Sequence, residues 1–113
     1  MLRSLKGDRA FRRLRKGRPG HAKYLSLRYL PTRGGFACVG IVVSKKVGKA
    51  VTRNQVRRRL REALYALLRD EAGRFATLSF DMVVITRPEA AEASYWQLEG
   101  ALRRALQKSG LFS

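Results

Sequence analysis

Residues 39–63 read Val39-Gly40-Ile41-Val42-Val43-Ser44-Lys45-Lys46-Val47-Gly48-Lys49-Ala50-Val51-Thr52-Arg53-Asn54-Gln55-Val56-Arg57-Arg58-Arg59-Leu60-Arg61-Glu62-Ala63. The period of the apolar residues changes inside this stretch. Its β-branched beginning belongs to a strand predicted over 36–44, in which Gly40 marks a bulge or a close approach by another group. A basic loop over 45–53 follows. A long helix then runs to about Glu71, with Gly73 as its stop. Thr52 and Gln55 have capping-box spacing, and Asn54 is an alternative cap. At 100° per residue, Val56, Leu60, Ala63, Leu64 and Leu67 share one side of that helix. Asn54, Arg57, Arg58, Arg61 and Tyr65 converge on another, flanked by Gln55 and Arg59. The apolar side anchors the helix to a sheet, so the guanidinium groups form a rigid comb facing outward.

Working outward, Asp8 is placed to cap a short helix over 9–16 that ends at Gly17. Phe11 and Leu14 share its apolar side. Gly17-Arg18-Pro19-Gly20 breaks the pattern. From Tyr24 the period is two: Leu25, Leu27 and Tyr29 point one way, Tyr24, Ser26 and Arg28 the other. Residues 31–35 carry turn chemistry, so strand 36–44 is expected to run antiparallel beside the first. Downstream, Phe-Asp-Met-Val-Val-Ile-Thr over 80–86 reads as a third strand, closed by Pro88. Ser94 and Gln97 have the spacing of a second capping box. Leu98, Ala101, Leu102, Ala105 and Leu106 form the apolar stripe of a last helix ending at Gly110. The fold class is therefore α+β, a sandwich of helices on a small sheet. The 113 residues suit one domain, 1–113, with 1–7 expected to be flexible.

The charge is lopsided. From Arg9 to Arg61 there are 17 Lys or Arg and no Asp or Glu, while the rest of the chain balances eight basic against eight acidic residues. A field of one sign repels itself unless a polyanion neutralises it. Nucleic acid, whose phosphates release counterions to Lys and Arg, is that polyanion. An Arg fork binds two phosphate oxygens or stacks on a base. The helix start near Arg53 and Asn54 adds unpaired N–H groups and a positive dipole end. A merely solvated face would mix both signs, and neighbouring arginines without acids repel one another.

Catalysis has no visible carrier. The eight acidic residues form no paired metal-ligand motif, and no Ser-His-Asp or Cys-His set can be assembled. The lone Cys38 excludes a disulfide within the chain, reads as a small buried hydrophobe, and fits a reducing, cytoplasmic compartment. His21 reads as solvated or phosphate-contacting, and Trp96 as packing. No run of roughly 18 apolar residues spans a membrane. Phe11, Tyr24 and Tyr29 are either core residues or platforms for unpaired bases.

The block over 39–63, with Phe11-Arg12-Arg13-Leu14 and Lys16-Gly17 upstream and Asp81-Met82-Val83-Val84-Ile85 and Arg87-Pro88 downstream, resembles the signature of the bacterial ribonuclease P protein family. The resemblance implies an α-β-β-β-α-β-α order on a small mixed sheet, like the second domain of ribosomal protein S5, with a left-handed β-α-β crossover. General rules favour the right-handed form, and a short extra edge strand would complete the three strands read above. The resemblance further implies a subunit that binds the catalytic RNA of ribonuclease P. The holoenzyme removes the 5′ leader of precursor tRNA by Mg²⁺-dependent hydrolysis. The metal would be largely RNA-bound, the chemistry the RNA's, and no residue of the protein catalytic. No membrane and no protein partner are implied.

By position, Lys45, Lys46, Lys49, Arg53, Asn54, Gln55, Arg57, Arg58 and Arg61 match the RNA-binding region. Phe11, Arg12, Arg15 and Arg28 match the leader-binding cleft. Gln55 stands where the family usually has Arg, which removes one phosphate contact or shifts it to Arg59. A second cleft aromatic is replaced around Arg15. The alternative from size and charge is a ribosomal protein with a structural rRNA-binding role. A protein-only nuclease would need a carboxylate cluster that the sequence lacks.

Overall fold

The computed structural model describes residues 2–33, 37–70 and 79–111. Five strands, β1 (Leu2–Ser4), β2 (Arg18–His21), β3 (Leu25–Pro31), β4 (Ala37–Val42) and β5 (Phe80–Thr86), form one mixed sheet in the order β1-β4-β5-β3-β2. The helices are α1 (Asp8–Arg13), α2 (Ala50–Asp70) and α3 (Tyr95–Ser109). β4 and β5 are adjacent, parallel and joined by α2, whereas β3 runs antiparallel to β5.

Four sequence expectations change. First, the order begins with a strand. Within the segment expected to be flexible, Leu2–Ser4 pairs in parallel with β4, and the Leu5 N–H donates to the Val39 carbonyl at 3.0 Å. Leu5 is buried, so one apolar anchor holds the segment against the sheet. Second, Asp8 is the first residue of α1 rather than its cap. Gly7 enters the helix at φ 91, no side chain caps it, and a 3-10 turn over Leu14–Lys16 finishes it. Asp8 still lies in the first turn, where a carboxylate complements the helix dipole.

Third, strands 25–31 and 37–42 do not pair; β5 lies between them. Phe80, Met82, Val83 and Val84 are all buried, so β5 presents apolar groups to both faces and takes the central position. The hairpin partner of β3 is β2, from Arg18↔Tyr29 to His21↔Ser26. The glycine- and proline-bearing breaker is thus an edge strand, where proline is tolerated. A Cβ at Gly20 would collide with the Ala105 carbonyl oxygen, so that edge packs directly on α3. Fourth, α2 starts at Ala50 after a 3-10 turn over Lys45–Val47. Thr52 and Asn54 therefore lie inside the helix and neither caps it. The expected helix end near Glu71 and Gly73, and the glycines of turn 31–35, fall outside the described residues.

Other expectations appear as read. Val56, Leu60, Ala63, Leu64 and Leu67 of α2 are buried, as are Leu98, Ala101, Leu102, Ala105 and Leu106 of α3. They cover Leu25, Leu27, Tyr29, Met82 and Val84 on one sheet face. At Ser94 the capping box is complete. The Gln97 N–H donates to Ser94 Oγ at 3.2 Å, and the Ser94 N–H donates to Gln97 Oε1 at 2.9 Å. The other sheet face carries a smaller cluster of Leu5, Leu14 and Val83, edged by Ala10, Phe11, Leu30 and Cys38.

Candidate nucleic-acid interface

The buried stripe of α2 fixes the orientation of its opposite side. Asn54, Arg58 and Arg61 are exposed, Arg57 is half-buried, and Tyr65 is 52% exposed. Arg57 Nη1 donates to Asn54 Oδ1 at 3.0 Å, which holds one guanidinium against the helix without neutralising it. Among the described residues no carboxylate pairs with Arg57, Arg58 or Arg61, in contrast to Arg103, whose guanidinium meets Glu99 at 2.8 Å. The comb therefore keeps its full charge.

Arg53 differs. It is half-buried, and its Nε is enclosed without a hydrogen-bond partner, the kind of orphan donor that a bound acceptor satisfies. Lys45, Lys46, Lys49 and Gln55 are exposed around the helix start. Arg59 behaves unlike its neighbours, because its Nη1 donates to the Ala93 carbonyl at 3.2 Å. That bond ties α2 to the segment before α3, so Arg59 is part of the scaffold.

α1 carries the second group. The Phe11 ring lies over Gly40, where a Cβ would come within 2.8 Å of Phe11 Cζ. This is the close approach that glycine in a strand signals. Phe11 borders two cavities. One of about 310 Å³ includes Asp8, Arg12 and Arg15; the other, about 240 Å³, includes Arg57, Arg61, Tyr65 and Ile41. The aromatic expected in a cleft and the arginines expected on the RNA-facing helix thus border one continuous surface. Arg28 supports it from below: its Nη1 donates to the carbonyls of Arg15 and Gly17, each at 3.3 Å, and so braces the end of the α1 segment.

Sequence reasoning missed Arg3 and Ile41 in the second cavity. Arg3 gains its place only because β1 pairs with β4, at Arg3↔Cys38. It also misplaced Trp96, which is 74% exposed. Cys38 is half-buried rather than enclosed. Desolvation and the neighbouring Asp81 carboxylate push its thiol above the ordinary range.

Among the described residues no three His, Cys, Asp or Glu side chains converge to hold a metal. No described helix is long and apolar enough to cross a membrane.

A family model described as Ribonuclease P matches residues 2–110. A ribonuclease P protein component of Thermus brockianus is 54% identical over 110 residues, covering 97% of this chain and 62% of the relative. One from Clostridioides difficile is 36% identical and is covered over 93% of its length. The solved structure of the Staphylococcus aureus RNase P protein superposes with a TM-score of 0.79 at 26% identity, covering 97% of each chain. The chain thus spans about three-fifths of the length of the Thermus relative and nearly all of the others. From its blocks of sequence, its topology and these matches, the chain belongs to the ribonuclease P protein family.

Proposed function

We propose that this chain is the protein subunit of a ribonuclease P holoenzyme. The α2 face, Asn54, Arg57, Arg58 and Arg61 with Arg53 and Lys45, Lys46, Lys49 and Gln55 at its start, binds the catalytic RNA. The surface around Phe11, Arg12, Arg15 and Arg28 receives the single-stranded 5′ leader of precursor tRNA. Cleavage of the phosphodiester belongs to the RNA, and Mg²⁺ is held mainly by RNA oxygens. The protein supplies binding and orientation, which lowers the barrier by holding reactants in place. It works in the cytoplasm as one domain.

A single observation carries this reading: an unneutralised arginine comb on a helix anchored by a buried stripe, continuous with a cavity bordered by Phe11. A helix already anchored by its buried stripe meets phosphates without the ordering cost that a flexible segment incurs on binding. The aromatic ring offers a sequence-tolerant stacking surface for an unpaired base.

The test is reconstitution. The protein alone is expected to cleave nothing, and to raise cleavage of precursor tRNA by the cognate catalytic RNA at modest Mg²⁺ and near-physiological salt. No stimulation under those conditions overturns the proposal. Within it, Arg57→Ala and Arg58→Ala are each expected to flatten the plot of log affinity against log salt by about 0.7 to 0.9 per lost phosphate contact.

A further inference from the structure

A second group of aromatic and basic side chains lies apart from the α1–α2 surface. Lys23 and Tyr24, from the turn between β2 and β3, face Trp96, Gln97, Gly100 and Arg104 of α3 across an open groove of about 240 Å³. Trp96, Gly100 and Arg104 follow one another at intervals of four, so they lie along one side of the helix. Open space stands where Gly100 would carry a Cβ, which keeps the floor low between the indole and the guanidinium.

Both banks are held in place. Tyr95 packs partly against the core and crosses Trp96 edge to face, with ring centroids 5.0 Å apart at 84°. Lys23 Nζ lies 5.2 Å from the centre of the Tyr24 ring. Tyr24 has φ 76, a rare value for a bulky residue, and its carbonyl accepts the Arg87 N–H at 2.8 Å. No carboxylate lines the groove, and the nearby Glu99 is paired with Arg103.

An exposed indole sharing a groove with two cations, and with no acid in the groove lining, matches a planar base attached to a phosphate. We propose that Trp96, Tyr24, Lys23 and Arg104 form a second RNA platform that stacks one unpaired nucleotide of the catalytic RNA. This rests on the reading that the chain binds that RNA. The catalytic RNA is the favoured source because α3 shares its sheet face with α2, and Arg59 of α2 reaches Ala93, three residues before Trp96. Phe11 packs with the cluster on the opposite face of the sheet.

Trp96 is the chain's single tryptophan, so its emission reports this groove alone. In the assembled holoenzyme, acrylamide quenching of Trp96 is expected to fall well below that of the free protein. Trp96→Ala is expected to weaken catalytic-RNA binding by about fivefold or more, the lower end of one base–aromatic stack, while Trp96→Tyr retains most of the affinity. Arg104→Ala is expected to reduce the salt slope by about 0.7. The side chain is exposed, so these variants leave the core intact.

Unchanged quenching on assembly overturns the platform. So does protection that appears only when precursor tRNA is added, or that rises with protein concentration without RNA. If Arg57→Ala/Arg58→Ala weakens RNA binding and Trp96→Ala does not, the platform alone falls. If neither weakens it, the broader functional reading falls as well.

Discussion

The two faces of the sheet are built unequally. Among the described residues, the face under α2 and α3 gathers a cluster of 22 buried residues, whereas the face under α1 gathers three. On the thin face Val42 and Ile85 remain 40% and 43% exposed. Each fully buried large aliphatic side chain contributes about 1.5 to 3 kcal/mol, so stability resides mainly under the two long helices. The thin face is left with concave, partly polar surface beside Phe11 and Arg28, the kind of surface a ligand can enter. One sheet thus carries a densely packed face that keeps the chain folded and a second face that is left largely open.

The largest expected effect breaks the thick face. Leu102→Ala removes a fully buried side chain and is expected to cost about 2 to 5 kcal/mol in denaturant unfolding. Leu14→Ala, on the thin face, is expected near the lower end of that range, because a small cluster beside open surface collapses more readily. Equal losses for the two would erase the energetic contrast between the faces.

Next, Gly40→Ala forces a Cβ against the Phe11 ring and is expected to cost about 1 to 3 kcal/mol as overpacking. Thermal unfolding checks the cost, and the ring shift of Phe11 by nuclear magnetic resonance checks its cause. Ser94→Ala dismantles the capping box of α3 and is expected to cost about 1 kcal/mol. Ile85→Ser, half out of the sheet, is expected to change stability by no more than about 0.5 kcal/mol. For function, Phe11→Ala is expected to weaken binding of precursor tRNA carrying a leader by about fivefold or more and to leave mature tRNA binding nearly unchanged. Equal weakening of both would place Phe11 in the scaffold.

Much of this was legible in the residues. The apolar stripes of α2 and α3 name their buried positions because helical period and burial are the same geometric fact. The strand 80–86 and the capping box at Ser94 follow from local chemistry that tertiary contacts had no reason to override. Gly40 announced a bulge or a close approach, and the sequence did not say which of the two, nor that Phe11 was the neighbour. Strand partnership was read wrongly where proximity along the chain suggested a hairpin between 25–31 and 37–42. The doubly apolar β5 takes the place between them, and no local signal encodes that insertion. β2 escaped notice because glycine and proline mark an exposed edge as readily as a turn. Trp96 escaped because a large aromatic in an amphipathic helix usually packs.

By itself the sequence determined the lopsided positive charge, the helix that carries the arginines and the family to which the chain belongs, since each depends on residue types at fixed local spacing. Only the tertiary structure decided which arginines stay outward and which, like Arg59, are tied into the frame. It also decided that Phe11, Arg57 and Arg61 border one surface, and that Trp96 faces Tyr24 across a groove. Those outcomes depend on contacts between segments far apart in the chain, and such contacts are set by how the sheet orders its strands rather than by any short run of residues.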